Sequence, residues 1–123
     1  MKRNELEERL IDFSVLIIKL SNDMKKTKAA QHLSGQIIRS GTSTALNYGE
    51  AQSAESKKDF IHKMQVVLKE LRETFVCLRI LEKAKLCTEG KLLLQALKEN
   101  NELISIFVKS VSTEQKTSEI KNR

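Results

Sequence analysis

An all-α, antiparallel up-down four-helix bundle is the fold class that this sequence predicts, and three observations carry the prediction. The 123 residues include no proline and only four glycines, so almost nothing in the chain stops a helix. Apolar residues recur in steps of three and four over long stretches, and no segment keeps the alternation of a half-buried strand. Breaks near residues 25–28, 53–56 and 87–90 divide the chain into four amphipathic stretches with short connections, which favours neighbours that run antiparallel. The length fits one domain over 1–123 with a core of its own.

The first helix opens at Asn4, a residue suited to capping, with Glu5, Glu7 and Glu8 in its first turns and Lys25, Lys26 and Lys28 at its end, matching the helix dipole at both termini. Leu6, Leu10, Phe13, Ile17, Leu20 and Met24 form its buried stripe. Ile11, Val15 and Ile18 widen that stripe, so the helix is expected to touch two neighbours. Thr27 caps a second helix from about Lys28 to about Ala54 through Leu33, Ile37, Gly41 and Tyr48. Its small residues, Ser40, Gly41, Thr42, Ser43, Ala45, Gly49, Ala51, Ser53 and Ala54, cannot fill a core themselves and imply that another backbone comes close. Gly41 in mid-helix costs about 1 kcal/mol relative to alanine, a cost that close packing explains.

Ser56 and Asp59 resemble a capping box at the start of the third helix. Phe60, Met64, Val67, Leu71, Thr74, Leu78 and Leu81 follow in strict steps of four and three, with Ile61, Leu68 and Phe75 beside them. Cys87 to Gly90 form a turn. Leu93, Leu97, Ile104, Phe107 or Val108, and Val111 then carry a fourth helix to about Ser112, and the polar tail over 113–123 is expected to fray.

Cys77 and Cys87 stand ten residues apart, about 15 Å along one helix and too far for a disulfide. Thiol use of this kind, with no leader-like pattern in the first residues, makes the cytoplasm the expected compartment. The apolar runs Val15–Ile18 and Phe75–Leu78 fall far short of the ~20 residues that cross a bilayer.

Chemistry at a site finds little support. A di-metal carboxylate bundle needs Glu-x-x-His on two helices; Asp59-Phe60-Ile61-His62 is one imperfect copy, and His32 has Ala29 three residues before it. Ser40, Thr42 and Ser43 lack both a glycine elbow and a nearby histidine to activate them. Gly35, Gly41, Gly49 and Gly90 do not have the spacing of a phosphate-binding loop. No enzyme and no cofactor is therefore expected. Arg39, Asn47, Glu50 and Lys63 are read instead as a polar cluster where two helices meet, and Glu70 and Glu73 as partners for Arg or Lys across the bundle.

The 22 Lys and Arg against 16 Asp and Glu give a formal charge of +6, which favours an anionic partner. With one Tyr, four Phe and no Trp, contact with nucleic acid should be to phosphates rather than by base stacking. The basic residues occur in separate clusters along the chain, and their order in sequence does not place them on one face.

Arg39-Ser40-Gly41-Thr42-Ser43, Asn47, Glu50-Ala51, Asp59-Phe60, Lys63, Leu68-Lys69-Glu70 and Glu73-Thr74, in this order and spacing, resemble the four-helix bundle proteins associated with intervening sequences in bacterial large-subunit ribosomal RNA genes. The resemblance covers about Phe13 to Leu81 closely and the fourth helix by pattern. Cys77 stands where an aromatic is usual, and Lys26-Thr27-Lys28 replaces a proline often found before the second helix. The resemblance implies a non-enzymatic bundle that assembles as a homopentameric ring without a cofactor, and a fold similar to the accessory variability protein of diversity-generating retroelements, which binds nucleic acid. The function expected on these grounds is a homo-oligomeric accessory protein that holds RNA or DNA by its backbone, with Arg39, Lys57, Lys58 and Lys63 contributing. The alternative is a self-assembly or protein-interaction scaffold that binds no nucleic acid.

Overall fold

The computed structural model describes residues 1–121. Four helices follow in order, α1 (Arg3–Ser21), α2 (Lys28–Ala51), α3 (Lys57–Lys83) and α4 (Lys91–Lys121), and no strand occurs among the described residues. Each helix packs on its neighbour in the chain, and α1 closes the ring on α4 along the sparsest of the four seams. The diagonal backbones stay apart, and Tyr48 of α2 and Phe107 of α4 meet edge to face across the interior with centroids 5.7 Å apart.

The core is built from the expected stripes on α1, α2 and α3. On α4, Ala96, Asn100 and Leu103 are buried whereas Leu97 and Ile104, expected there, are only half-buried, because the α4 stripe between Leu93 and Phe107 is turned by one residue from the expected register. Leu10, Phe13, Ile17, Leu20, Ile37, Val67, Leu71, Leu78, Leu81, Leu103 and Phe107 are fully buried, which is the dominant favourable term in holding the bundle together. Thr27 caps α2 by accepting the Ala30 N–H at 3.1 Å, and Ser56 caps α3 by accepting that of Asp59 at 3.0 Å, each satisfying an N–H that the helix itself cannot.

Gly41 serves the close approach expected of it. A Cβ there would lie 3.0 Å from Ile17 Cγ1. The Ser14 hydroxyl, bonded to the Leu10 carbonyl at 2.9 Å, stands 3.4 Å from the Gly41 carbonyl oxygen. On the other flank of α2, Thr74 Oγ1 is 2.7 Å from Ser40 Oγ and 2.8 Å from the Glu70 carbonyl oxygen. With Ser40 donating to Thr74 and Thr74 to Glu70, both buried hydroxyl hydrogens are used. The small residues of α2 thus admit α1 on one side and α3 on the other.

Four further expectations are corrected. The cap of α1 is Lys2 rather than Asn4, and the Glu5 carboxylate reaches back to the Lys2 N–H at 3.3 Å. Helix α2 ends at Ala51, three residues before Ala54, because the N–H groups of Gln52, Ser53 and Ala54 bond to Gly49, Glu50 and Ala51 in a tightened last turn. Helix α4 runs past Ser112 to Lys121, so the tail expected to fray over 113–123 is helical as far as described, with 122–123 outside the described residues. Glu114, paired with Lys57 at the start of α3, ties this extension to the bundle. Finally, α1 does touch two neighbours, but Ile11, Val15 and Ile18 face solvent, and the half-buried Leu16 and Arg9 lie on the side toward α4.

The two connections at one end are joined by backbone bonds. Lys25 donates to the Leu86 carbonyl at 2.8 Å and Thr88 to that of Asp23 at 2.9 Å, forming an antiparallel bridge between Met24 and Cys87. The Asp23 carboxylate also accepts from the Thr88 hydroxyl. Lys85 in this turn adopts φ +55° and Gly90 φ +82°, the left-handed region that glycine enters without a steric cost.

Candidate nucleic-acid interface

One register of α3 fills the core, and the register two residues earlier faces water. The core stripe from Phe60 to Leu81 rises in steps of four and three. Two residues turn a helix by about 200°, so the same steps begun at Lys58 lie almost diametrically opposite. They give Lys58, His62, Gln65, Lys69, Arg72, Val76, Arg79 and Lys83, every one exposed. This stripe contains no acidic residue and extends about 37 Å. Arg79 approaches Glu82 at 3.6 Å, while Lys58, Lys69, Arg72 and Lys83 have no ion-pair partner among the described residues.

Two of the acids that border the stripe, Glu70 and Glu73, share one guanidinium from α2. Arg39 Nη1 lies 3.3 Å from Glu70 Oε2, and its Nη2 pairs with Glu73, the partnership across helices expected for those two glutamates. Held this way, Glu70 and Glu73 repel an approaching phosphate less than free carboxylates would.

Of the four basic residues expected to contribute, Lys58 alone stands on the stripe. Arg39 is committed to Glu70 and Glu73. Lys57 pairs with Glu114 and lies 5.3 Å from the centre of the Phe60 ring. Lys63 donates to Glu50 at 2.8 Å, and that bond raises its pKa above the ordinary value. The structure therefore does not gather Arg39, Asn47 and Glu50 into one cluster. Arg39 and Glu50 bridge separately to α3, and the Asn47 amide donates to the Ser43 carbonyl of its own helix at 2.9 Å. Sequence reading missed Lys69, Arg72 and Lys83 because it took the basic residues in order along the chain; shifting the core register by two residues would have found them.

His32 and His62 sit exposed on different helices, and among the described residues no group of three or more His, Cys, Asp or Glu converges as a metal would need. Burial pushes the Cys77 thiol up, and burial together with the Asp23 carboxylate does the same to Cys87, the reverse of what activates a nucleophilic thiolate. Both cysteines are free.

No helix is long and apolar enough to cross a membrane among the described residues. No curated protein matches the chain. The crystal structure of a protein of unknown function from the S23 ribosomal protein family of Bacteroides thetaiotaomicron is similar at 29% identity, with a TM-score of 0.81 over 91% of this chain and 99% of that one. The family model described as 23S rRNA-intervening sequence protein matches residues 2–109. With residues 2–109 matched, nearly the whole bundle, the chain belongs to the 23S rRNA-intervening sequence protein family.

Proposed function

We propose that this protein is a non-enzymatic, homo-oligomeric accessory protein that holds nucleic acid by its phosphate backbone along the outer face of α3. The observation that carries the reading is the run of unpaired cations on one exposed stripe, Lys58, Lys69, Arg72 and Lys83. Phosphates are met by cations that keep no internal partner, because each contact then releases counterions without first breaking an ion pair. The stripe holds no Phe, Tyr or Trp and one imidazole, His62, so it is suited to a backbone more than to a run of stacked bases. Membership in a family named for an intervening sequence in ribosomal RNA favours structured RNA as the ligand, and the resemblance to the retroelement accessory protein points the same way. Repetition of the stripe in a homo-oligomer would multiply a weak contact.

Fluorescence anisotropy with structured RNA and with duplex DNA, each at two salt concentrations, tests this. Saturable binding that weakens with salt is expected, and a Lys69→Ala/Arg72→Ala variant should lower the salt slope by about 2. Absence of binding at low salt, or a slope the variant leaves unchanged, overturns the α3 reading. The first of these outcomes would leave an assembly scaffold in which the positive charge serves solubility.

A further inference from the structure

The basic stripe of α3 begins at a recess. Lys58, Ile61, His62 and Gln65 of α3 and Ser118 of α4 line a cavity of about 380 Å³. The four α3 positions, at steps of three, one and three, share one side of their helix, and the last turns of α4 form the facing wall. That wall lies past residue 109, where the match to the family model stops. The pair between Lys57 and Glu114, one turn before Ser118, holds it against α3. The recess therefore depends on a part of α4 that the family model does not include.

Its chemistry differs from that of the rest of the stripe. Lys69, Arg72, Arg79 and Lys83 stand exposed on the convex back of α3, where they offer charge to a passing phosphate. The recess adds a half-buried apolar side chain, Ile61, an imidazole ring, His62, an amide, Gln65, and a half-buried hydroxyl, Ser118. No acidic residue lines it. Lys58, His62, Gln65 and Ser118 form no side-chain hydrogen bond among the described residues, whereas the adjacent Thr117 spends its hydroxyl on the Thr113 carbonyl at 3.0 Å. A bare phosphate needs donors and nothing else. A flat ring and an apolar side chain, with an amide and a hydroxyl beside them, are the set that takes a splayed-out base. The volume lies at the lower end of the range for small-ligand sites, enough for one nucleotide and not for a run of them.

We infer that the recess between α3 and the end of α4 receives one unpaired nucleotide of an RNA whose backbone follows the α3 stripe. His62 and Ile61 offer the surfaces on which the base rests, Gln65 and Ser118 bond to its edge, and Lys58 meets its phosphate. One turn beyond Gln65, Lys69 and then Arg72 take phosphates of the adjoining strand. A base stacked inside a duplex cannot enter, so the site selects a bulge, a loop or a strand end. The stripe treats phosphate backbones alike; the recess distinguishes RNA with a free base from RNA without one.

The inference rests on the nucleic-acid reading of α3 proposed above, and its test separates the two. Two blunt-ended RNA duplexes, identical but for a single-nucleotide bulge in one, are titrated with the full chain by fluorescence anisotropy at two salt concentrations. The bulged duplex should bind wild type more tightly by about fivefold or more, the least expected from stacking one base on a side-chain ring. In Gln65→Ala/Ser118→Ala that ratio should fall to about one, with circular dichroism confirming the helices, which alanine favours. Lys69→Ala/Arg72→Ala should weaken both duplexes and keep the ratio. Equal affinity of wild type for the two duplexes, both weakened by salt, overturns the recess and leaves the α3 reading intact. A ratio that Gln65→Ala/Ser118→Ala leaves unchanged overturns the recess as well. Binding to neither duplex at low salt overturns both readings.

Discussion

Ile17 packs into the space that Gly41 leaves empty: a Cβ on residue 41 would stand 3.0 Å from Ile17 Cγ1, 3.1 Å from its Cγ2 and 3.3 Å from its Cβ. Two effects oppose each other in Gly41→Ala. Alanine improves helix propensity by about 1 kcal/mol, whereas an extra methyl in a packed contact costs about 1–3 kcal/mol. The third distance reaches the root of the Ile17 side chain, which cannot swing aside, so the steric cost wins. A net loss of about 1 kcal/mol is expected from the urea midpoint, and a gain would show that α1 can move away freely.

Asn100 is fully buried in α4 with neither side-chain polar atom bonded within the described residues. An unsatisfied buried amide costs about 1–3 kcal/mol, and leucine repeats its branched shape with bulkier methyl groups in place of the amide O and NH2. Asn100→Leu should therefore raise stability by about that amount in a denaturant titration. A loss instead would mean that the amide has a partner, such as a buried water, that the leucine displaces.

Arg9 spans the sparsest seam. Its guanidinium grips Glu99 through Nε at 2.8 Å and Nη2 at 2.7 Å, and Nη2 also reaches Glu102 at 2.9 Å. Arg9→Ala should cost about 1 kcal/mol, since the fork geometry lifts a partly exposed pair to the upper end of its usual range. Arg9→Lys keeps the charge without the fork and should recover only part of the loss. Thermal melts in dilute buffer and in about 1 M salt provide the check, because screening should shrink the difference; a gap of the same size in both would assign the loss to packing.

Alkaline pH should weaken the fold, because the unfolded chain gives up its protons before the native state does. Burial raises the Cys77 and Cys87 thiols and the Tyr48 hydroxyl, so over the interval between unfolded and folded values the native state holds protons that the unfolded chain has already lost. The sign follows from linkage: the stability from these groups is intact below the unfolded values and is lost as pH rises through the folded ones. The decline should begin above about pH 8.5 for the thiols and about pH 10 for Tyr48. Denaturant midpoints taken across that interval should fall for wild type and less steeply for Cys77→Ala/Cys87→Ala. Parallel curves would place the loss elsewhere.

The interior was legible because each helix repeats its buried stripe with one period, and two caps, Thr27 and Ser56, announce themselves by residue type. The tight packing at Gly41 was legible for a related reason, since a helix tolerates a glycine in its middle only where something uses the gap. The far end of α4 was not, because Thr113 to Lys121 are polar and their helix depends on a partner, Lys57, more than fifty residues away. Ile11, Val15 and Ile18 were misplaced since an apolar stripe reads the same in sequence whether another helix of the chain covers it or not. The cations of α3 belong to a third case: their positions were written in the sequence, and only the rotation about the helix axis was left unread.

The backbone bridge between the turns at Met24 and Cys87 makes the two ends of the bundle mechanically unequal. The Ala51–Lys57 link and both chain termini lie at the opposite end, where the chain joins α2 to α3 but no backbone bond joins α1 to α4 among the described residues. Thermal opening should therefore proceed as a book opens from its fore-edge, with α1 lifting from α4 while the spine at Lys25 and Thr88 stays shut. Amides at those two positions, though they sit in turns, would then exchange with solvent as slowly as amides in the helices they join.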